Sequence, residues 1–256
     1  MKRRCWLQTA LAVACVVASA ARAQSVPDHI AQGSRNRATR DVASALKAFE
    51  AALAIDANNY DALVNAAECA VELGEFNANA KERDSLFRSA EQYARRAVAA
   101  NPNAAEGHFE LAQALGRTAL SQGPRDRIKY GIEVRDQALA ALKIDPQHSG
   151  ALHVMGVWNA EVMRLNSFTR MIAKNFLGGK IFNEANWDNA QRYMEQSVAA
   201  DSARIAHRLD LGAVYADRNL REQARAQFEW IARAPITDFN DPHYKEQAAR
   251  RLRELR

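Results

Sequence analysis

Apolar and small side chains recur along most of this chain at the three- and four-residue spacing of amphipathic helices. The pattern is clearest in residues 203–235. Its small and large apolar positions are Leu211, Gly212, Tyr215, Ala224, Phe228 and Ile231. Gly212 and Ala224 are predicted to lie where two antiparallel helices cross, because only small side chains allow such a close approach. The segment therefore predicts a pair of helices with a turn at residues 217–219.

The pattern of the second helix recurs four times upstream of this segment. Its positions are Ala45, Phe49 and Ala52; Ala90, Ala94 and Ala97; Ala138, Ala141 and Leu142; and Ala190, Met194 and Ser197. Pro102 and Pro146 end two of these helices, since proline cannot continue a helix. First helices are predicted over residues 61–74, 105–122, 149–165 and 205–218. A further first helix before Ala45 is poorly defined, with Gly33 as its one small-residue match.

Five such pairs favour internal repeats over an irregular helical bundle. Their spacing resembles the tetratricopeptide repeat, a helix–turn–helix unit of 34 residues. The resemblance implies an all-α fold, a tetratricopeptide-repeat α-solenoid of about five helix pairs with a capping helix at its C-terminal end. Three of the four spacings between successive pairs exceed 34 residues, so insertions are predicted at residues 74–90, 121–127 and 161–190.

Two segments near the end of the array have a pattern of their own. In the longest insertion, an apolar stripe predicts a helix that ends at Gly178 and packs over neighbouring repeats. Its residues are Leu165, Phe168, Met171, Ile172 and Phe176, with Phe182 and Trp187 reaching back before the next helix. The capping helix is predicted to run to Leu255, with Asn240 or Asp241 accepting its first amide bonds and Pro242 at its first position.

A narrower resemblance rests on a few short segments. These are Asp145-Pro146, His153-Val154-Met155-Gly156-Val157-Trp158, Met171-Ile172-Ala173-Lys174 and Gly178-Gly179. Through them, roughly residues 40–235 resemble the regulator of microtubule dynamics family. The family name implies microtubule association in eukaryotes.

The N-terminus is typical of a secretory signal peptide. A Lys-Arg-Arg start at residues 2–4 is followed by an apolar run too short for a membrane span, which ends in Ala21-Arg22-Ala23. We expect cleavage after Ala23, which divides the chain into a signal peptide (1–23) and a helical domain (24–256). Export to the periplasm is favoured over secretion from the cell, a lipid anchor at Cys15 or a mitochondrial presequence.

The charge balance changes once this segment is set apart. The formal net charge is +5, but residues 1–23 carry four of the 35 basic residues and no acidic one. The remaining 31 basic residues nearly balance the 30 acidic residues, so a nucleic-acid partner is not predicted.

Catalytic motifs are not found. Gly178-Gly179-Lys180 lacks the other residues of a phosphate-binding loop, and the six histidines show no metal-binding pair at i, i+4 spacing. Cys69 is the one cysteine after residue 23 and is predicted to be a buried, unreactive thiol. We therefore predict a protein that is not an enzyme and that needs neither a cofactor nor a metal.

A tetratricopeptide array binds its partner on the concave side, which is lined by the first helices. Transferring that rule gives seven candidate binding residues: Val64, Glu68, Phe109, Gln113, His153, Val157 and Glu161. Their apolar and acidic side chains suit a polypeptide partner with basic and apolar residues. The predicted function is thus a protein-binding scaffold in the cell envelope.

The alternative is an envelope hydrolase whose site is assembled from the insertions. An open groove would favour the scaffold, whereas a deep polar pocket with a perturbed carboxylate or histidine would favour the enzyme.

Overall fold

The computed structural model describes residues 25–120, 124–165 and 180–255, and in these ranges the regular structure is helical. Its α-helices are α1 (Val26–Ala38), α2 (Val42–Ile55), α3 (Tyr60–Glu75), α4 (Ala80–Ala100), α5 (Ala105–Leu120), α6 (Pro124–Ile144), α7 (Ser149–Arg164), α8 (Trp187–Ala200), α9 (Ile205–Asp217), α10 (Arg221–Arg233) and α11 (Asp241–Glu254). A short 3-10 helix, Lys180–Asn183, precedes α8. Successive helices pack as five antiparallel pairs, α1–α2 to α9–α10, and α11 covers the last pair. The predicted α-solenoid is confirmed.

Glycines in the first helices mark where the two helices of a pair cross. A Cβ added at Gly212 would lie 2.5 Å from Cε1 of Phe228, and one added at Gly33 would lie 2.5 Å from Cε1 of Phe49. Because a real Cβ cannot approach that closely, only glycine lets the aromatic ring lie flat against the helix backbone. The predicted role of Gly212 is confirmed, and Gly33 identifies α1 as the first helix that the sequence pattern defined poorly.

The first and last pairs share one register, because neither carries an insertion. Sixteen residues separate Gly33 from Phe49, and the same number separate Gly212 from Phe228. The turn between the helices has a left-handed residue at equivalent positions, Arg40 with φ 61° and Asn219 with φ 60°. The predicted turn at residues 217–219 therefore lies where the chain reverses.

The first two insertions coincide with a longer second helix in their pair, as far as the described residues show. Both α4 and α6 are 21 residues long, against 14 for α2. Most of the third insertion, including Phe168, Met171, Ile172 and Phe176, lies outside the described residues. Phe182, in the described part of this insertion, stacks on Trp158 with ring centroids 5.6 Å apart.

The start of the capping helix differs from the sequence prediction. Neither Asn240 nor Asp241 caps α11 with its side chain; the backbone carbonyl of Asn240 accepts from the N–H groups of His243 at 3.0 Å and Tyr244 at 3.2 Å. The carboxylate of Asp241 instead turns back and accepts hydrogen bonds from the backbone N–H groups of Thr237 and Asp238, both at 2.8 Å. Pro242 is the second helical residue and not the first. Asn240 is used in a long-range contact described below.

The predicted signal peptide lies outside the described residues, and its cleavage after Ala23 stays a prediction. No helix in the described part of the chain is long and apolar enough to cross a membrane.

Candidate functional site

The segment that follows α10 packs across part of the concave side of the solenoid. We call residues 236–244, which join α10 to α11 and include the first residues of α11, the clasp. Asn240 Nδ2 donates to the backbone carbonyl of Glu72 at 3.0 Å, and the Tyr244 hydroxyl donates to Glu75 Oε2 at 2.7 Å. His243 stacks on Phe76 with ring centroids 4.5 Å apart. The clasp thus connects the last pair of helices to the C-terminal end of α3.

A second contact of the clasp reaches the first pair. Arg40, in the left-handed turn between α1 and α2, donates from Nη1 to the carbonyl of Ile236 at 2.9 Å. In a solenoid each repeat ordinarily contacts only its neighbours. These contacts join residues more than 160 positions apart in sequence, so the clasp forms an additional wall of the inner face, which stays partly open to solvent.

The cavity on this inner face has a volume of about 410 Å³. Its walls come from α3, α5, α7 and α9, as expected for first helices, and from the clasp and two turns. Seven carboxylate side chains face it, against two arginines. The acidic residues are Glu68, Glu72, Glu75, Glu106, Asp145, Asp201 and Asp238, and the arginines are Arg117 and Arg204.

Both arginines are already paired with carboxylates of the wall. Arg117 bonds to Glu75 at 2.5 Å and Arg204 lies 3.3 Å from Asp238. Arg37 of α1 lies behind the wall, where it pairs with Glu68 and approaches Glu72 at 3.2 Å. Each of these arginines is therefore paired with a carboxylate, and the carboxylates that remain give the cavity a negative charge.

Burial strongly raises the pKa of two carboxyl groups in this region. Burial, with Glu68 adding to it and Arg37 opposing it, raises the pKa of Glu72 to about 7. Burial, with Glu68 adding to it, raises the pKa of Glu110 well above its usual range, which favours the neutral form of this side chain. Glu110 is 0% exposed and neither of its oxygens has a hydrogen-bond partner among the described residues.

Histidines form the opposite wall. His153 Nε2 lies 2.8 Å from Asp210 Oδ2, and the His153 ring stacks on His207 with centroids 4.6 Å apart. Burial and the neighbouring His153 lower the pKa of His207 to about 2, which keeps His207 neutral. Its Nδ1 lies 3.0 Å from the hydroxyl of Ser197, and that hydroxyl also lies 2.9 Å from the carbonyl of Ser149.

This serine–histidine pair is not arranged for nucleophilic catalysis. The one hydrogen of the Ser197 hydroxyl is donated to the Ser149 carbonyl, so Nδ1 of His207 must be the donor toward Ser197. A general base would have to accept that hydrogen. Ser197 is also fully buried. Cys69 is fully buried as predicted, and burial raises the pKa of its thiol far above the usual range.

Four of the seven predicted binding residues line the cavity: Glu68, Phe109, Gln113 and His153. The other three do not. Val64 is 7% exposed and packs in the core between α2 and α3, and Val157 packs with the core of the last two pairs. Glu161 is exposed near the end of α7 and pairs with Arg164 at 2.5 Å. The helical periodicity placed these three residues on helices that line the cavity, but on faces of those helices that point away from it.

Phe109 has a structural role that the sequence did not reveal. A Cβ added at Gly150 would lie 2.5 Å from Cε2 of Phe109, and the ring also packs at 4.9 Å against His148. The ring therefore joins α5 to α7 while its edge faces the cavity. The clasp was missed entirely, because its contacts depend on how far the solenoid curves and no local spacing encodes that curvature.

A family model described as "Regulator of microtubule dynamics protein 1-3" matches residues 27–256. The chain belongs to this family. A curated relative, regulator of microtubule dynamics protein 1 of Bos taurus, is 24% identical over 177 residues, which are 68% of this chain and 54% of that protein. The chain thus spans about half the length of the curated relative it matches.

Solved structures support the same fold. A thermophilic tetratricopeptide-repeat protein of Thermus thermophilus superposes with a TM-score of 0.61 at 18% identity, covering 88% of this chain and 99% of that one. An IFIT1 monomeric mutant, solved with Gppp-AAAA, gives a TM-score of 0.54 at 17% identity, covering 90% of this chain and 55% of that one. The comparisons therefore show the fold and the family of this chain. The sequence-based expectation of no nucleic-acid partner stays a prediction.

Proposed function

We propose that this protein is a non-catalytic scaffold of the cell envelope that binds a polypeptide segment on its concave side. The observation that carries the proposal is the composition of the cavity, seven carboxylates against two arginines that are already paired. Three of these carboxylates are paired with arginines, but the remaining excess of carboxylates favours a positively charged ligand through electrostatic complementarity. The partner segment should therefore carry Lys or Arg.

Apolar surface inside the cavity supports a mixed basic and apolar segment. Phe109 and Tyr244 both line the cavity, so an apolar side chain next to a cation has a surface on which to pack. The same negative wall opposes phosphate groups, which supports a protein partner over a nucleic acid.

The location in the envelope rests on the N-terminal sequence alone. The Lys-Arg-Arg start, the short apolar run and Ala21-Arg22-Ala23 support export and cleavage. N-terminal sequencing of the protein purified from its host tests this part. A chain that begins at Gln24 agrees with it, whereas an intact Met1 or a lipid-modified Cys15 contradicts it.

Binding is tested by titrating the protein with two labelled peptides of equal length, one alternating Arg with Leu and one alternating Glu with Leu. The basic peptide should bind and the acidic one should not, and binding should weaken as salt is raised. Glu106→Lys places a positive charge at the wall and should reduce affinity by about tenfold or more.

Two matched variants serve as controls for the charge reversal. Glu229→Lys changes an exposed position on α10, which does not line the cavity, and should leave affinity unchanged. Glu161→Lys tests a residue that the sequence placed in the groove and the structure places outside it, and it should also have no effect. Equal loss in all three variants, or equal binding of the acidic peptide, would contradict the proposal. A pull-down from the envelope fraction then identifies the native partner.

A second candidate, an envelope hydrolase, is favoured by one observation. Glu72 lines a polar cavity and burial raises its pKa to about 7, which suits a general acid or base. The test is the release of soluble fragments from purified peptidoglycan by the parent protein and by Glu72→Gln. Release that disappears in Glu72→Gln would favour the enzyme, and no release by the parent would leave the scaffold.

A further inference from the structure

Glu72 lines the cavity and is paired with an arginine less closely than its neighbour Glu68. Arg37 donates two hydrogen bonds to Glu68, one of them from Nη2 to Oε1 at 2.5 Å. The same Nη2 atom lies 3.2 Å from Oε1 of Glu72. Because one guanidinium serves both carboxylates and lies closer to Glu68, Glu72 keeps most of the negative charge that Arg37 does not balance.

The other carboxylates of the cavity wall have partners within the protein or are in contact with water. Those with partners are Glu75 and Asp238, which pair with arginines, and Asp145 and Asp201, which accept N–H groups of their own turns. The side chain of Glu106 is 47% exposed, whereas that of Glu72 is 14% exposed. A cation that reaches Glu72 is therefore less screened by water than one that pairs with Glu106.

A buried carboxyl group beside Glu72 adds to the shortage of positive charge. Glu110 is fully buried, and neither of its oxygens has a hydrogen-bond partner among the described residues. It lies one turn after Glu106, on the stripe of α5 that lines the cavity. Its carboxyl group interacts electrostatically with those of Glu68 and Glu72. Three carboxyl groups thus share the guanidinium of Arg37.

A cluster with more carboxyl groups than arginines holds protons when no other cation is present. Burial, opposed by Arg37 and reinforced by Glu68, raises the pKa of Glu72 to about 7. Glu72 is therefore protonated in part of the molecules at neutral pH. Because its side chain also lines the cavity, a ligand can reach the carboxyl group that holds this proton.

We propose that Glu72 is the contact for a cationic side chain of the partner, and that this cation enters in exchange for the proton of Glu72. The O–H bond of the carboxyl group breaks and the proton passes to water. The carboxylate then accepts N–H hydrogen bonds from the incoming guanidinium or ammonium group. The exchange follows from the groups of this chain, and the assignment of the cation to a polypeptide rests on the proposed function.

The exchange makes the affinity for a basic ligand fall as the pH falls. The proton competes with the cation for Glu72 at low pH and is absent at high pH, so binding should be about tenfold weaker at about pH 6 than at about pH 8. The charged groups around Glu72 are Arg37 of α1, Glu68 and Glu75 of α3, Glu110 of α5, Arg204 of α9 and Asp238 of the clasp. The arginines keep their charge over this range.

The first test titrates the full chain with the labelled peptide that alternates Arg with Leu, at about pH 6 and about pH 8. The parent should bind about tenfold more weakly at the lower pH. Glu72→Gln keeps the shape of the side chain but has no proton to exchange, so it should lose that difference. Binding by the parent that is independent of pH would overturn the exchange, and so would an unchanged pH dependence in Glu72→Gln.

Histidines of the cavity wall are the matched controls, because a protonated imidazole would also repel a cation at low pH. His148→Asn keeps a side chain that can cap α7, and His153→Gln keeps a polar one. Both variants should retain the pH dependence of the parent. Its loss in either histidine variant, with Glu72→Gln behaving as the parent, would assign the titrating group to a histidine and overturn the proposal.

A carbon NMR titration of the Glu72 carboxyl group needs neither a variant nor a peptide. In the free parent, the signal of Glu72, assigned by through-bond correlation to its own backbone, should titrate near pH 7. N-acetylarginine amide should lower the midpoint, and N-acetylcitrulline amide, which has a similar shape and no charge, should not. A midpoint near 4.5, the ordinary value for Glu, would overturn the proposal. A midpoint that the two amides affect equally would also overturn it.

The two measurements separate this inference from the proposed function. No binding of the basic peptide at either pH, together with a Glu72 midpoint that the arginine amide lowers, would reject the polypeptide partner and keep the cation site. Peptide binding with a Glu72 midpoint that neither amide moves would keep the proposed function and overturn the exchange.

Discussion

At the scale of single residues, the repeats depend on glycines that admit an aromatic ring. Gly212 sits against Phe228, which is fully buried and cannot move aside without disturbing its neighbours. Gly116 provides a contrast on α5, because a Cβ added there meets no heavy atom within 4 Å. The two positions have the same residue in the same kind of helix and differ in what surrounds them.

This contrast predicts opposite effects of one substitution. Gly212→Ala should lower the free energy of unfolding by about 1–3 kcal/mol, since the added methyl group overpacks the crossing, and Gly212→Leu should be worse. Gly116→Ala should raise it by about 0.5–1 kcal/mol, since alanine favours a helix. Urea denaturation of both variants decides the matter. A Gly212→Ala variant as stable as the parent would show that Phe228 does not pack there.

Glu110 is a buried residue whose carboxyl group has no hydrogen bond to offset the loss of water. Its carboxyl group is fully buried with no hydrogen-bond partner among the described residues, and burial raises its pKa well above the usual range. Below the unfolded pKa near 4.5, both states hold the proton, so the group adds no pH dependence to the stability there. As the pH rises above 4.5 the unfolded chain releases the proton while the folded chain keeps it, so stability falls.

Glu110→Leu should therefore stabilise the protein, by about 1–3 kcal/mol at neutral pH. The gain should be larger at about pH 8 than at about pH 5, because only the parent loses stability over that range. Thermal or urea denaturation at the two pH values measures it. A gain that does not change with pH would mean that Glu110 is ionised in the folded protein.

At the scale of helices and turns, the sequence predicted most of what local chemistry determines. The predicted first helix at residues 149–165 is observed as Ser149–Arg164, and the one at residues 205–218 as Ile205–Asp217. Amphipathic spacing fixes such helices because each buries one face against its partner. The poorly defined first helix before Ala45 is α1, whose single strong signal, Gly33, marks the true crossing.

The prediction for the start of α11 was wrong because an Asp near a helix start can accept hydrogen bonds from residues after it or before it, and the sequence does not distinguish the two. An Asp at a helix start usually accepts amide bonds from the turn that follows. Asp241 instead accepts from Thr237 and Asp238 in front of it, which shapes the clasp. Which of the two arrangements Asp241 adopts depends on the path of the preceding loop. That path is set by contacts with α3, which is far away in sequence.

Asp241 is therefore predicted to contribute more to the stability of the folded protein than an ordinary capping residue. It is 1% exposed, and Asp241→Ala would leave two backbone N–H groups without a partner, at a cost of about 2–3 kcal/mol. Asp201→Ala is a matched control, because Asp201 accepts one N–H at 3.2 Å in a more exposed turn, and it should cost about 1 kcal/mol or less. Urea denaturation compares them. Equal losses would mean that the clasp does not depend on this carboxylate.

At the scale of the whole molecule, the clasp changes how the repeats depend on one another. The stability of an open solenoid is a sum of repeats and of the interfaces between neighbours, so its ends unfold independently. Here Asn240 and Tyr244 connect the last pair to α3, and Arg40 connects the turn of the first pair to Ile236. The two ends should consequently protect each other.

Hydrogen exchange of the native protein tests this coupling. In the parent, amides in the core of α3 and of α10 should exchange with similar free energies of opening, because one end cannot open while the clasp holds it to the other. In Asn240→Ala combined with Tyr244→Phe, α9 to α11 should exchange faster than α3 and α4, because the last pair regains the independence of a terminal repeat. Tyr93→Phe removes a hydrogen bond between α4 and α2 and should not increase exchange in α9 to α11. Protection lost evenly along the chain in the clasp variant would mean that the ends were never coupled through these residues.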